Sequence, residues 1–483
     1  MTAYSMAVDL STREIPDLSL LETRALIASG AASPLEVTEA VLARIDAVDP
    51  ALNAYLTLTR AHALEAARVA TEERAKGLDR GPLHGVPFAL KDLYETDFAP
   101  TSAGLALLRD NATGRNATVT TRLEQAGAVI LGKLGMTEGA YSGHHPEMAV
   151  PKNPWNPACW AGSSSSGSGV SVAAGLCFGA LGSDTGGSIR FPSAACGITG
   201  MKGTWGRVSR AGVFALADSL DHVGPMARSA ADCAAILSVI AGADPADPTA
   251  LLDPVPDYLA ACAGPVRGLR IGIDRAAVLE NVAPETAAVI ADAIAAFEAL
   301  GAEIVPVAFP WPADATDQWS VLCAIEVALA HAGRFPEQRA GYAPHLTALL
   351  DYGHGLSARE VGAAMQWRLV YNGAVARAMH GLDMVLLPIT TGPVAELDNI
   401  YAAPSAGESD ENLGDLLKFT APADFTGRPA LTLPGGFDRR GAPIGFQLVG
   451  HALAEATLFR AGAAFQRVTD WHTRRPDLAP FRG

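Results

Sequence analysis

The sequence predicts an α/β fold, because short apolar segments typical of buried strands alternate with amphipathic segments typical of helices. The stretch Gly81 to Lys91 reads as a turn followed by a strand, and Thr118 to Gly127 and Ala128 to Lys133 read as a helix and a second strand. A strand, a helix and a strand in succession form a βαβ unit. The same succession is predicted later in the chain, at 269–273, 284–300 and 304–307.

Length and composition indicate a globular protein with a large core. A chain of 483 residues has the length of two or three average domains, although a large α/β enzyme can hold this length around one core. Apolar residues make up 49% and charged residues 18%, against roughly 25% charged in a typical domain. The formal charge of −15 disfavours binding to a nucleic-acid backbone.

The start of the chain and its cysteines favour the cytoplasm. The first ten residues lack a basic segment followed by an apolar one, and no stretch approaches 18 uninterrupted apolar residues, so we expect neither a leader nor a membrane span. The cysteines have no CxxC spacing and are expected to be buried thiols rather than disulfides or zinc ligands. They are Cys159, Cys177, Cys196, Cys233, Cys262 and Cys323.

Two helices are predicted near the start of the chain. Ser33 and Glu36 have the spacing of a capping box, with Pro34 at the first helical position. A second, alanine-rich helix is predicted from Arg60 to Lys76, ended by Gly77.

Two clusters of glycine and serine mark the candidate site. The first spans Gly162 to Gly169 and the second Gly182 to Arg190, with an apolar run between them that could not remain solvated as part of a flexible linker. A phosphate-binding loop is the sharper alternative, but Ser168 and Gly169 stand where that loop requires lysine and a hydroxyl residue. Together the clusters predict the wall of an active site.

A lysine and several serines in these segments suggest nucleophilic catalysis. Lys91 follows a buried strand, where a lysine either extends to the surface or loses its proton through desolvation and serves as a base. Ser188 follows Gly186 and Gly187 and is the candidate nucleophile. The combination of a candidate base and nucleophile favours the catalytic interpretation of Lys91.

The segments 85–92, 162–169 and 182–190 together resemble the amidase signature family of serine hydrolases. The similarity extends from the N-terminal helices to about Gly242 and resumes near Asp383. This resemblance implies a large twisted mixed β-sheet covered by helices on both faces, with a helical region that caps the substrate site. It also implies hydrolysis of a carboxylic amide through an acyl-enzyme, without a cofactor or metal.

The resemblance supplies roles for the site residues. It implies Ser188 as nucleophile, Lys91 as base and, between them, a bridging serine preceded by a cis peptide bond. The family's spacing selects Ser164, which lies 24 residues before Ser188. Ser163 and Ser165 flank it as supporting residues and remain alternatives for the bridging role.

The second cluster also predicts an oxyanion hole and a bracing ion pair. Asp184 and Arg190 are expected to pair and support the loop, and Asp92 is expected to orient Lys91 indirectly. Consecutive backbone amides beside glycines can converge on an anion. The four expected donors are the amides of Thr185, Gly186, Gly187 and Ser188.

Five regions are predicted along the chain. The helical, aromatic-bearing region from Trp311 to His380 is expected to choose the substrate. Asp424 stands where asparagine is commoner in the family, a change expected to alter the polarity of the pocket. The regions are N-terminal helices (1–80), the catalytic core (81–242), a linker and βαβ unit (243–310), the cap (311–380) and the end of the core (381–483).

The expected partners are a small amide and water, with aryl amides and carbamates as candidate substrates and a monomer or homodimer as the active form. The neighbouring His144 and His145 lack further ligands at metal-binding spacing.

Three alternatives to a free-standing amidase remain. They are a Ser-His-Asp hydrolase that uses Asp221 and His222, the glutaminase subunit of a tRNA-dependent amidotransferase, and a binding module without catalysis.

Overall fold

A computed structural model describes residues 13–397 and 411–482, in which eleven strands form one sheet. The strands are β1 (Tyr55–Leu58), β2 (Pro87–Lys91), β3 (Val129–Leu134), β4 (Gly179–Asp184), β5 (Thr199–Lys202), β6 (His222–Ala227), β7 (Arg270–Ile273), β8 (Glu303–Pro306), β9 (Met384–Pro388), β10 (Ala430–Phe437) and β11 (Pro443–Gly450).

The sheet is mixed. Its spatial order is β1-β3-β2-β4-β6-β5-β10-β11-β9-β7-β8. Strand β2 pairs in parallel with β3 and β4, and β7 pairs in parallel with β8 and β9. The remaining six neighbouring pairs are antiparallel.

Both faces of the central strands are covered. Every residue of β2, β3, β4, β5, β6, β9 and β11 is buried, and successive side chains of a strand point to opposite faces of the sheet. Burial of both kinds of position requires a layer on each side. The predicted α/β fold with a large mixed sheet is therefore confirmed.

The helices surround this sheet. The capping box at Ser33 forms as predicted, since its hydroxyl accepts from the Glu36 amide and the Glu36 carboxylate accepts from the Ser33 amide. The helices are α1 (Leu20–Ala28), α2 (Pro34–Leu52), α3 (Arg60–Ala75), α4 (Thr118–Gln125), α5 (Ser166–Ala173), α6 (Arg190–Ala195), α7 (Ala230–Ile240), α8 (Tyr258–Ala261), α9 (Pro284–Ala299), α10 (Ala315–Ala330), α11 (Pro344–Gly355), α12 (Ala358–Ala378), α13 (Glu411–Leu417), α14 (Ala421–Phe425) and α15 (Glu455–Val468).

One strand departs from the sequence expectation. The first 80 residues were expected to be helical, yet β1 lies between α2 and α3 and pairs with β3 at the edge of the sheet. Helices α10, α11 and α12 lie in the predicted cap region. Within the described ranges, no helix has the length and apolar character needed to cross a membrane.

Candidate active site

Lys91 ends β2 in the interior of the protein. Its side chain is fully buried, so it does not extend to the surface. The Nζ atom donates to Ser164 Oγ at 2.6 Å and to Ser183 Oγ at 2.8 Å. Strand β2 thus places the amine between a hydroxyl of the first Gly/Ser cluster and a hydroxyl near the end of β4.

Desolvation changes the acidity of Lys91. Burial lowers the pKa of the ammonium group to about 7, although the negative charges of Asp221 and Asp184 oppose the shift. The lowered pKa increases the neutral fraction of the lysine near pH 7. A neutral amine has the lone pair that a general base requires.

Ser164 lies two residues before the start of α5, and the peptide bond between Ser163 and Ser164 is cis. Ser164 is fully buried, whereas Ser163 is partly exposed. The neighbouring Ser165 Oγ donates to the Ser183 carbonyl oxygen at 3.2 Å and accepts from the Ser183 amide at 3.3 Å. Among the three predicted serines, Ser164 is the one whose hydroxyl contacts Lys91, while Ser165 connects the first cluster to β4.

The second cluster forms a tight loop between β4 and α6. Ser188 is partly exposed, while Thr185, Gly186 and Gly187 are buried. Of residues 185–189, the predicted nucleophile is therefore the one that is partly exposed to solvent.

Asp184 and Arg190 pair as predicted. Arg190 Nη2 contacts Asp184 Oδ1 at 2.8 Å, and Nε contacts Oδ2 at 3.0 Å, with both side chains fully buried. Burial alone would disfavour the carboxylate, but the Arg190 guanidinium and its hydrogen bonds hold the pKa of Asp184 well below its ordinary value. The Asp184 carboxylate also accepts from the Ile189 amide at 3.0 Å.

The oxyanion expectation is wrong for one of its four amides. The Gly187 N–H donates to Asp184 Oδ1 at 2.7 Å, so it braces the loop instead of facing a substrate. In the described part of the chain, the N–H groups of Thr185, Gly186 and Ser188 donate to no protein acceptor. These three amides remain available for an oxyanion.

Asp424 belongs to the same buried cluster. Its Oδ2 atom lies 2.6 Å from Arg190 Nη2, and the side chain is fully buried. Burial raises the pKa of Asp424 well above its ordinary value, because the attraction of Arg190 is smaller and ionised Asp184 repels a second negative charge. Arg190 therefore contacts two buried carboxyl groups of different acidity, of which Asp184 is the more acidic.

No side-chain hydrogen bond joins Asp92 to Lys91 in the described part of the chain. Its Oδ1 atom pairs with buried Lys133 Nζ at 3.0 Å, and its Oδ2 atom accepts from the Ser102 amide at 3.0 Å. Consecutive side chains at the end of a strand point in opposite directions, which turns Asp92 away from Lys91 and toward β3.

The alternative Ser-His-Asp arrangement does not form. His222 Nδ1 lies 2.6 Å from the Leu220 carbonyl oxygen. Asp221 Oδ1 accepts from Thr185 Oγ1 at 2.5 Å, and Oδ2 accepts from the Leu216 amide at 2.9 Å. Neither side chain orients the other, as a triad requires.

Two further observations concern side chains that could bind metal or react. In the parts of the chain that the structure covers, no three His, Cys, Asp or Glu side chains are grouped as metal ligands. All six cysteines are free and buried, as expected.

The sequence did not single out Ser183. Its hydroxyl accepts from Lys91, a contact that depends on the alignment of β2 beside β4. A serine one residue before Asp184 in an apolar strand was the available signal.

The family model named Amidase matches residues 36–459. The chain belongs to the amidase family. It is a hydrolase that acts on carbon–nitrogen bonds of amides, as the sequence resemblance implied.

Similarity to individual proteins extends over almost the whole chain. "Putative amidase AmiD" of Mycobacterium tuberculosis is 45% identical over 464 residues, which cover 96% of this chain and 97% of that protein. A glutamyl-tRNA(Gln) amidotransferase subunit of Chloroflexus aurantiacus is 39% identical and covers 96% of this chain and 99% of its own length. The peptide amidase of Stenotrophomonas maltophilia superposes with a TM-score of 0.82 at 30% identity, covering 95% of this chain and 98% of that structure.

Proposed function

We propose that this protein is a free-standing amidase in which Ser188, Ser164 and Lys91 perform acyl transfer. The observation that carries the proposal is the 2.6 Å contact between Lys91 Nζ and Ser164 Oγ. A lysine with a pKa of about 7 and a hydroxyl in direct contact with it form a base and a proton relay.

The reaction proceeds in two halves. Ser188 Oγ attacks the amide carbonyl carbon, its proton passes to Ser164 Oγ, and the Ser164 proton passes to neutral Lys91. The carbon–nitrogen bond then breaks, and the proton held by Lys91 returns through Ser164 to the leaving amine. Water, deprotonated along the same path, attacks the acyl-enzyme, releases the carboxylic acid and restores the Ser188 hydroxyl.

The amides of Thr185, Gly186 and Ser188 stabilise the negative charge that develops on the carbonyl oxygen. Fixed N–H donors act there without reorganising during the reaction. The Asp184–Arg190 pair supports this role, since it ties the loop to α6 inside the protein.

The substrate is a small amide, with aryl amides and carbamates as the first candidates. Helices α10 and α12 of the cap carry Trp319, Trp367 and Tyr371, which provide apolar and aromatic surface near the core. Segments outside the catalytic scaffold commonly determine specificity. The proposal includes a monomeric or homodimeric enzyme of the cytoplasm, supported by six free buried thiols.

The second candidate is the glutaminase subunit of an amidotransferase. The chain is 39% identical to the Chloroflexus protein over nearly all of that protein's length, and this similarity supports the second candidate function. The two candidates differ in one respect: a free-standing amidase hydrolyses its substrate without partner subunits.

Covalent labelling tests the chemistry. The purified chain is incubated with a fluorophosphonate, and the modified peptide is identified by mass spectrometry. We expect the label on Ser188, and Ser188→Ala should lose it. Ser168→Ala is the matched control, because the Ser168 hydroxyl donates to the Leu181 carbonyl oxygen at 3.0 Å within the core. A label on a serine outside both clusters contradicts the assignment.

A hydrolysis panel separates the two candidates. Short aliphatic amides, anilides, peptide amides, aryl carbamates and glutamine are offered to the purified chain alone. We expect turnover of at least one amide other than glutamine. Hydrolysis confined to glutamine, and only after amidotransferase partner subunits are added, contradicts the free-standing enzyme and supports the second candidate.

A further inference from the structure

A tryptophan of the cap holds the loop that carries the expected oxyanion donors. Trp319, in the first turns of α10, is almost fully buried. Its Nε1–H donates to the Thr185 carbonyl oxygen at 2.9 Å. The region expected to choose the substrate therefore contacts the loop that carries Ser188.

The contact fixes the direction of a neighbouring N–H. A trans peptide unit is planar, so its C=O and the following N–H point in opposite directions. The Thr185 carbonyl and the Gly186 N–H belong to one such unit. When Trp319 holds the carbonyl oxygen, the Gly186 N–H is aimed away from Trp319, and a donor on the oxygen also polarises this N–H.

The space beside the Gly186 Cα is tight. A Cβ atom on Gly186 would lie 2.9 Å from the Trp319 ring and 3.0 Å from the Leu417 side chain. The next carbonyl, that of Gly186, accepts from Thr420 Oγ1 at 2.5 Å. Both peptide units that involve Gly186 are thus held at their oxygen atoms.

The N–H groups of the two peptide units differ in their acceptors. The N–H of the second unit, on Gly187, is used by Asp184 at 2.7 Å. Among the described residues, the N–H of the first unit, on Gly186, has no protein acceptor. The unit that Trp319 holds is the one with a donor left for a ligand.

We propose that Trp319 is a positioning residue that aims the Gly186 N–H at the oxyanion. This inference rests on the proposed function, because it requires Ser188 to generate an oxyanion beside the loop. The cap then contributes to transition-state stabilisation as well as to substrate choice. Changes in the cap that move Trp319 lower kcat even for substrates that still bind.

The test compares two tryptophan variants of the cap region. Trp319→Phe keeps an aromatic ring and removes the N–H. Trp311→Phe is the matched control, because Trp311 Nε1 also donates to a side-chain or backbone oxygen, here the partly buried Asp274 Oδ2 at 2.9 Å, and makes no hydrogen bond to the oxyanion loop. For each variant we measure kcat, KM, thermal stability and the inhibition constant of a trifluoromethyl ketone, whose carbonyl carbon bonds to a serine Oγ and leaves an oxyanion.

We expect Trp319→Phe to lower kcat about tenfold to a hundredfold with KM within about threefold of wild type. Removing an oxyanion donor outright costs about 10² to 10³ in kcat, and here the donor remains but is misdirected. The inhibition constant of the ketone should rise by the same factor as kcat falls. Trp311→Phe should leave both quantities within about threefold of wild type.

A second variant separates the hydrogen bond from packing. Trp319→His retains a ring N–H in a smaller ring, and recovery of kcat above that of Trp319→Phe supports the proposal. Equal losses in both variants, or equal behaviour of Trp319→Phe and Trp311→Phe, overturn it. These outcomes are distinct from failure of the proposed function, which appears in the wild-type enzyme as a fluorophosphonate label away from Ser188.

Discussion

Replacing Lys91 with methionine tests the burial of a titratable amine at the centre of the site. The variant keeps an unbranched side chain and removes the charge. Burial lowers the pKa of Lys91 from 10.5 to about 7. At about 1.4 kcal/mol per pKa unit, this difference corresponds to roughly 5 kcal/mol of lost stability when the lysine is protonated in the folded state.

The sign follows from proton binding. Between pH 7 and pH 10.5 the folded protein holds fewer protons on Lys91 than the unfolded chain, so the stability of the wild type rises with pH across this window. About 3 kcal/mol of the penalty disappears between pH 6 and pH 9. The methionine variant has no such cost of burying a charge at any pH. It also lacks the hydrogen bonds to Ser164 and Ser183, and this loss lowers its stability by a similar amount at pH 6 and pH 9.

The assay is thermal unfolding of both proteins at pH 6 and pH 9, at one scan rate. Unfolding of a chain of 483 residues has an entropy of about 1 kcal/mol/K, so the variant's Tm relative to wild type should fall by about 3 °C between pH 6 and pH 9. The wild-type kcat/KM should rise about tenfold from pH 6 to pH 8. A Tm difference that is the same at both pH values, together with a flat activity profile, refutes a neutral, buried Lys91.

Two further substitutions test neighbouring groups. Ser164→Ala should lower kcat by about 10² to 10⁴ because it interrupts the proton path. Ser183→Ala removes the other hydroxyl that contacts Lys91 and should lower kcat by less than about tenfold. Equal losses of kcat in steady-state assays of the two variants would remove Ser164 from the relay. Asp424→Asn should raise Tm more at pH 7 than below pH 4, because the pKa of Asp424 is raised in the folded state and the wild type therefore loses stability as pH rises above the ordinary pKa of an aspartate. A Tm difference between variant and wild type that is constant across this range contradicts the raised pKa.

The sequence predicted those parts of the site that depend on short contiguous segments. Lys91 was expected at the end of a buried strand, and β2 ends there. The Asp184–Arg190 pair was expected because both residues flank the same tight loop, and they are in contact. Local spacing was sufficient in these cases, since the relevant residues lie on one element or on one turn.

Other contacts depended on the arrangement of distant elements. The partner of Asp92 is Lys133 on the adjacent strand, a contact that the position of Asp92 next to Lys91 in the sequence does not indicate. Trp319 reaches Thr185 across 134 positions of the chain. The hydrogen bond from the Gly187 amide to Asp184 was easier to predict from the sequence, because an aspartate commonly accepts from a backbone N–H a few residues away.

The six buried thiols give the protein a practical property. Reaction with maleimides requires an exposed thiolate, and burial raises the pKa of Cys177, for example, to about 12. A single cysteine introduced at the exposed Gln366 on α12 would therefore be the first thiol to react. A fluorophore attached there could report movement of the cap during turnover, with every native cysteine left in place.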